Sequence, residues 1–228
     1  MPALRTPSRL VAASLIATMA AGGVAAAVAA PRAAHGVDAA NASAARVDSL
    51  ARQAQQRWSI EANGSVVHGV LHRVAADPAL RRTLQSGDAT ALRAYVNRQF
   101  PNVWYHWHVS RLRILRGSQV LVDTGVPFVV APAQQTLRGT NGRVIGTLEV
   151  SIQDVVGYVR YLRRNAGIDV VVRGQGAGHV RSSLPAATNA TLPRSGAVTL
   201  GGTHYLVRSF DRTALAGERV TVWVLVKG

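Results

Sequence analysis

Histidine and aromatic residues alternate in one short segment of this sequence, WYHWHVSRLR. If residues 104–116 form a β-strand, as the alternation indicates, His106 and His108 lie on the same face of it. Two histidines at positions i and i+2 of a strand can reach one metal ion, and so can His68 and His72, which are four residues apart in a helical stretch. Neither pair has an acidic residue at a ligand-like spacing, and the HExxH motif is absent. We therefore predict that His106 and His108 line a small-ligand pocket, with no metal or other cofactor.

Several other segments contain residue types found in active sites, but their sequence context does not match that of a known catalytic motif. The segment GQGAG, residues 174–178, follows one predicted strand and enters another, whereas a dinucleotide-binding loop leads into a helix whose N-terminus holds the pyrophosphate. Ser182 and Ser183 lie in no nucleophile elbow, and the acidic residues form no close pair for acid–base catalysis. The chain has no cysteine, which excludes disulfides, thiolate metal sites and cysteine nucleophiles. We predict that the protein is not an enzyme.

The composition is strongly basic. The 228 residues carry 26 Lys and Arg against 11 Asp and Glu, a formal net charge of +15, and Lys227 is the only lysine. Such a charge attracts polyanions, although a solvated basic surface is its simpler interpretation. Nucleic acid is not predicted as a partner, because the arginines are scattered, no binding motif appears and the N-terminus indicates export. With 48% hydrophobic residues, the chain can bury one sizeable core or two small ones.

The first 30 residues form a targeting segment rather than part of the fold. Arg5 and Arg9 precede an uncharged run of apolar and small residues from Leu10 to Ala30, which is the pattern of an export signal. Small residues near Ala30 suit signal peptidase, but the run is also just long enough to span a bilayer. We predict residues 1–30 to be a signal peptide or a membrane anchor. In both cases the remainder is extracytoplasmic, and membrane association would run through residues 10–30.

The elements that must position the candidate residues change character along the chain. Residues 31–102 are predicted to be helical, because apolar residues recur at helical spacing through 37–74, with Gly64 either interrupting the helix or tolerated within it. Asp77-Pro78 starts a further short helix, and Asp88 caps the next one.

The second half switches to a period of two, which is typical of half-buried strands. A helix from Ile152 to Leu162 interrupts it, with Ser151 and Asp154 forming a capping box at its start. Strands are predicted over residues 104–116, 119–123, 128–137, 144–150, 168–173, 179–184, 197–200, 203–211 and 219–226. The fold class is therefore α+β, with long N-terminal helices followed by antiparallel sheets and a connecting helix, which is a PAS-like plan. We divide it into a helical region (31–102), a first module (103–151), a connecting helix (152–167) and a second small module (168–228).

Several motifs resemble bacterial Cache-type sensor domains, in the double-Cache arrangement. The segments ADPAL and GDATAL, the hairpin LRILRGSQVLVDTG, the strand and helix GRVIGTLEVSIQDVVGYVRYLRRNAGIDVVV, and the later HVRSSLP and GGTHYLVRSF occur in the order found there, over residues 40–226. The resemblance implies a ligand pocket on the sheet face, under the loop between the second and third strands. It implies that Arg111 and Arg113 clamp a ligand carboxylate and that Asp123 holds an ammonium group, in a pocket region that covers residues 123–137 and so includes Phe128.

The predicted site therefore comprises His106, His108, Arg111, Arg113, Asp123 and Phe128. The resemblance implies an extracytoplasmic sensor domain that binds a small molecule for signal transduction, with a membrane receptor or histidine kinase as partner and without an output domain of its own. The pattern of Tyr, Arg, Trp and Asp typical of amino-acid-binding members does not map onto this sequence, so the ligand is left open. Two alternatives remain: a basic cell-envelope protein that binds anionic polymers, and a metal-binding protein in which His68, His72, His106 and His108 converge.

Overall fold

The computed structural model describes residues 32–228, with side chains from Asn41 onward. The predicted targeting segment, residues 1–30, lies outside the described residues. The α-helices are α1 (Arg32–Asn63), α2 (Ser65–Ala75), α3 (Pro78–Ser86), α4 (Ala89–Gln99) and α5 (Val155–Ala166). Gly64 separates α1 from α2, because its backbone is extended (φ −75°, ψ 162°).

The helix starts follow the sequence signals. The Asp77 carboxylate accepts hydrogen bonds from the amides of Ala79 (2.9 Å) and Leu80 (3.2 Å) at the start of α3. The Asp88 carboxylate accepts in the same way from the first turn of α4. Both satisfy amides that a helix leaves without partners at its N-terminus, so the two predicted starts are confirmed.

The strands form two antiparallel sheets. Sheet 1 contains β1 (Arg111–Arg116), β2 (Gln119–Gly125), β3 (Ala133–Arg138) and β4 (Val144–Ser151), in the order β2-β1-β4-β3. Sheet 2 contains β5 (Asp169–Arg173), β6 (Val180–Ser182), β7 (Ser195–Leu200), β8 (Thr203–Thr213) and β9 (Arg219–Lys227), in the order β6-β5-β9-β8-β7. Helix α5 connects the two sheets in the chain. The predicted α+β class, with helices followed by antiparallel sheets and a connecting helix, is confirmed.

The side chains described from Asn41 onward form three hydrophobic cores. The first lies between α2–α4 and one face of sheet 1, where Leu112 and Ile114 of β1 are fully buried. The second lies between α1, α5 and one face of sheet 2, and it also takes in Phe128 and Val130 from the β2–β3 connection. The third covers the opposite face of sheet 2. The β2–β3 connection therefore links sheet 1 to the core of sheet 2.

The predicted strand over 104–116 is wrong in its first half. Residues 100–104 form a π-helical turn and 105–107 a 3₁₀ turn, so the strand begins only at Arg111. In a strand, Trp104 and Trp107 would point to opposite faces. Their spacing of three residues also fits a helix, in which they would lie on the same side. Trp104 is fully buried with its ring centroid 6.3 Å from that of Tyr95, and this tertiary contact favours the helical turn.

Two further boundaries differ from the prediction. Ser151 does not cap α5: it ends β4, and its buried hydroxyl donates to the Val130 carbonyl at 2.9 Å, whereas the Asp154 carboxylate caps the helix by accepting from the Gly157 amide. The predicted strand 128–137 begins only at Ala133. Before that residue only an isolated bridge joins Val129 to Asp154, since Pro132 has no amide to donate to a ladder.

Candidate functional site

Four polar side chains form a row across sheet 1, one from each strand. Arg113 on β1 is paired in register with Asp123 on β2 and with Glu149 on β4, and Glu149 is paired with Gln134 on β3. Arg113 Nη1 donates to Glu149 Oε2 at 2.9 Å, and Gln134 Nε2 donates to Glu149 Oε1 at 2.9 Å. Arg113 Nε lies 3.4 Å from Asp123 Oδ2. We call these four residues the polar row.

Arg111 closes one end of the polar row. Its Nε and Nη2 donate to the two carboxylate oxygens of Asp123 at 2.7 and 2.9 Å, and its Nη1 donates to the Pro127 carbonyl. The structure thus brings together three residues of the predicted site, Arg111, Arg113 and Asp123. They bind one another, so a ligand carboxylate or ammonium would have to compete with the bidentate Arg111–Asp123 pair and with the contact between Arg113 and Asp123.

The two predicted histidines lie elsewhere. His106 is in the 3₁₀ turn, and His108 follows it in the left-handed region (φ 65°, ψ 21°), which His tolerates better than most residues. They do not share a strand face, which corrects the prediction. Both line a cleft of about 460 Å³ between this turn and the β4–α5 linker, together with Tyr105, Val109, Ser110, Val126, Ile152, Gln153 and Asp154.

A second cleft, of about 360 Å³, adjoins the first and shares His108, Ile152 and Gln153 with it. Its other wall is the α1–α2 junction, with Arg57, Ile60, Glu61, Gly64, Ser65 and Val66. We call the two together the His108 cleft. It combines imidazole, amide, carboxylate and guanidinium groups with the apolar side chains of Ile60 and Ile152, which is the mixture expected for binding a small polar molecule.

Glu61 is the most unusual ionisable group of the His108 cleft. Glu61 is only 6% exposed. Burial raises the pKa of its carboxyl, although the ion pair with Arg57 opposes this rise. The Arg57 Nε atom is buried without a hydrogen-bond partner among the described residues, while the guanidinium lies 4.0 Å from the centroid of the Tyr161 ring. A shifted carboxyl beside an incompletely satisfied guanidinium marks a candidate binding site.

Phe128, the sixth predicted residue, belongs to the second core. Its ring is stacked on the imidazole of His179, with centroids 4.5 Å apart and planes 9° from parallel. His179 Nδ1 lies 2.8 and 2.9 Å from the two carboxylate oxygens of Glu218, and the Gly176 amide also donates to this carboxylate. The GQGAG segment forms the turn predicted for it, between β5 and β6, and its Gly176 amide helps to hold Glu218 beside His179.

Sequence reasoning missed Glu61, Gln153 and Glu149. No local pattern marks Glu61, because its burial depends on how the α1–α2 junction packs against the β4–α5 linker. Glu149 follows the strand alternation, but its pairing with Arg113 requires the order of strands in the sheet. Gln153 could have been found as the residue between two predicted elements, where functional side chains concentrate.

The part of the chain that the structure describes lacks two kinds of feature. Within that part of the chain, no group of three or more His, Asp or Glu side chains could hold a metal ion, so the proposed convergence of His68, His72, His106 and His108 is wrong. None of the described helices is both long and apolar enough to cross a membrane.

No family model and no curated protein matches this sequence. Among solved structures, the chain is similar to the periplasmic domain of LuxQ from Vibrio cholerae (13% identity, 81% of this chain and 100% of that chain, TM-score 0.49). It is also similar to the ligand-binding domain of the Campylobacter jejuni chemoreceptor Tlp3, solved with 4-methylisoleucine (11% identity, 82% and 91% coverage, TM-score 0.41). A third neighbour is the ligand-binding domain of the Pseudomonas aeruginosa amino-acid chemoreceptor PctC, solved with GABA (12% identity, 80% and 99% coverage, TM-score 0.38).

The first of these neighbours is described as a periplasmic domain, and the other two as ligand-binding domains of chemoreceptors. The three TM-scores are below 0.5, so the function proposed below depends on the residues of this chain.

Proposed function

We propose that this protein is an extracytoplasmic sensor domain of the Cache type, which binds a small polar molecule in the His108 cleft. Each of the two sheets would be one Cache module, with the cleft between the α1–α2 junction and the β4–α5 linker. A receptor or histidine kinase in the membrane would receive the signal.

The observation that supports the proposal most strongly is that helix α1 both lines the cleft and packs on sheet 2. Its C-terminal end supplies Arg57 and Glu61 to the cleft. Further toward the N-terminus, the helix packs on sheet 2, where Asp48 forms an ion pair with Arg208. The same helix continues back to Arg32, toward the segment where the sequence predicts an export signal or anchor. A ligand that shifts this end of α1 can therefore act at a distance through a single rigid element.

The polar groups of the cleft define the ligand class. Glu61 and Arg57 offer one carboxylate and one guanidinium, while His108 and Gln153 offer a further donor and acceptor. A small polar molecule that carries both donors and acceptors fits this set, whereas a purely apolar ligand would displace water from these polar groups without replacing its hydrogen bonds. The polar row would then hold sheet 1 rigid beside the cleft rather than bind the ligand.

The experiment is a thermal-shift screen with organic acids, amino acids and polyamines, repeated at low and high salt. A ligand present at a hundred times its dissociation constant stabilises the protein by about 2.7 kcal/mol, which is a measurable shift of the melting temperature. For a ligand found in this way, we expect His108→Gly and Gln153→Ala to weaken binding about tenfold or more, since each removes a polar contact. Glycine at position 108 keeps the left-handed backbone, so the substitution tests the imidazole alone.

His204→Ala is the matched control, because His204 is an exposed histidine on β8, in sheet 2. It should bind the ligand as the wild-type protein does. The proposal would be rejected if no compound in the screen stabilises the protein in a salt-tolerant way. It would also be rejected if the two cleft variants bind the identified ligand with unchanged affinity.

A further inference from the structure

A group of three arginines lines a separate cleft at the far end of sheet 1. This cleft, of about 450 Å³, lies between α3 and the turn that joins β3 to β4. Its basic residues are Arg81, Arg82 and Arg138, and its remaining lining residues are Ala76, Pro78, Gln85, Gly139 and Thr140. We call it the three-arginine cleft. It adjoins the start of β4, whereas the His108 cleft adjoins the residues after the end of β4.

Two of the three guanidiniums are held in place by backbone carbonyls. Arg81 Nε donates to the Ala75 carbonyl at 2.7 Å, and Arg138 Nη1 donates to the Gly142 carbonyl at 2.9 Å. A carbonyl fixes a guanidinium without neutralising it, and each of these side chains keeps further N–H groups for another acceptor. Such anchoring lowers the conformational entropy that a ligand must remove when it binds.

The cleft carries no balancing negative charge. No carboxylate is among its lining residues, and within residues 41–228 none of the three arginines forms a salt bridge. Asp77 is the neighbouring acid in sequence and keeps its charge, but its oxygens accept from the Ala79 and Leu80 amides and the Tyr95 hydroxyl, and among the described residues it forms no salt bridge with the three arginines. Three positive charges with no acid facing them favour an anion that carries more than one charge.

We propose that the three-arginine cleft binds a phosphoryl group. A phosphate presents several acceptor oxygens and up to two negative charges, and planar guanidiniums bind it with paired N–H donors. A single carboxylate would balance only one of the three charges. The Thr140 hydroxyl lies in the same lining and offers one more donor. The site is independent of the ligand proposed for the His108 cleft.

The test compares two double variants with the same change of net charge. Arg82→Gln with Arg138→Gln removes two charges from the cleft but keeps Arg81, whose Nε also bonds the end of α2. Arg160→Gln with Arg164→Gln removes two charges from exposed positions on α5. Inorganic phosphate is titrated into each protein by calorimetry, at low and at physiological ionic strength, after equal melting temperatures confirm folding. We expect the cleft variant to raise the phosphate dissociation constant at least about tenfold and the α5 variant to change it less than about twofold.

Two more arms of the experiment identify the source of the phosphoryl group. Tighter binding of long-chain polyphosphate than of phosphate, lost in the cleft variant alone, would assign a polymer. Co-sedimentation with vesicles that contain phosphatidic acid, whose phosphomonoester carries up to two charges, would assign a lipid headgroup if it is lost in the same variant, and phosphate binding alone would assign a free anion. Equal losses in both double variants would show that only net charge matters and would overturn the proposal. Absence of binding in all three arms would overturn it as well.

Discussion

At the scale of single residues, the polar row shows charge buried inside a sheet face. Arg113 and Glu149 are each 8% exposed, and they form an ion pair in which the nitrogen and oxygen are 2.9 Å apart. Desolvation makes such a pair a weak source of stability, but removing one partner leaves an uncompensated charge. The pair therefore fixes the register between β1 and β4 rather than adding much to the free energy of folding.

This arrangement predicts an asymmetric result on mutation. Arg113→Met should lower the free energy of unfolding by about 3 kcal/mol, because Glu149 stays buried without its partner. Adding Glu149→Leu should recover part of that loss, since the double variant leaves no buried charge. Urea unfolding measures both values, and Arg160→Met on the exposed face of α5 is the control, with an expected change within about 0.5 kcal/mol. A double variant that is less stable than Arg113→Met would contradict this account.

Glu218 allows a prediction about pH. Burial alone would raise the pKa of its carboxyl, but hydrogen bonds from the Gly176 amide and from His179 outweigh burial, and the net pKa is below the ordinary value of 4.5. The stability that this lowering provides is present above the unfolded pKa and is lost as the pH falls through the folded pKa. We expect the stability difference between the wild-type protein and Glu218→Gln to be constant near neutral pH and to shrink below about pH 4.5.

Glu61→Gln is the control with the opposite sign, because burial raises the pKa of Glu61. Acidification through that raised pKa should favour the wild-type protein relative to Glu61→Gln. Denaturant titrations at a series of pH values measure both differences. Parallel pH profiles for the two variants would be inconsistent with the electrostatic surroundings described for these carboxyls.

At the scale of elements, the sequence predicted what depends on local signals. The hairpin of β1 and β2, the capped starts of α3 and α4, and the strands of sheet 2 all follow from periodicity, turn residues and caps. The segment 104–110 was mispredicted because its aromatic spacing fits both a strand and a helix, and only the burial of Trp104 against Tyr95 distinguishes them. Of the site, the sequence placed Arg111, Arg113 and Asp123 near one another, but the cleft itself depends on contacts between elements far apart in the chain.

At the end of β2, the backbone of Gly125 lies very close to the backbone of β1. Gly125 has a φ of +116°, and a Cβ there would lie 2.7 Å from the Arg111 Cα on the neighbouring strand. Gly125→Ala should therefore lower stability by about 2 kcal/mol or more, through backbone strain and steric overlap together. Gly142→Ala is the control, since Gly142 has a φ of +77° but open space around it, and its cost should be about 1 kcal/mol. Equal unfolding midpoints for the two variants would show that the close approach to β1 is relieved without cost.

At the scale of the whole molecule, the two sheets are joined by α5 and by the β2–β3 connection. Phe128 is the central residue of the β2–β3 connection. Its side chain is buried in the core of sheet 2 and stacks on His179. In contrast, Phe100 packs against the core of sheet 1. These two phenylalanines therefore report on different contacts: Phe128 on the contact between the halves, and Phe100 on one half alone.

We expect Phe128→Ala to lower the free energy of unfolding by about 3–5 kcal/mol, the usual cost of truncating a buried phenylalanine. Hydrogen exchange should show the loss of protection mainly in α1, α5 and sheet 2, whose core contains the ring. Phe100→Ala should cost less, because Phe100 is only partly buried, and its loss of protection should be concentrated in α4 and sheet 1. If both variants instead lower protection equally in the two sheets, the halves unfold as one unit and the β2–β3 connection is not a separable link between them. A signal that passes from the His108 cleft to α1 would then involve the whole molecule rather than one interface.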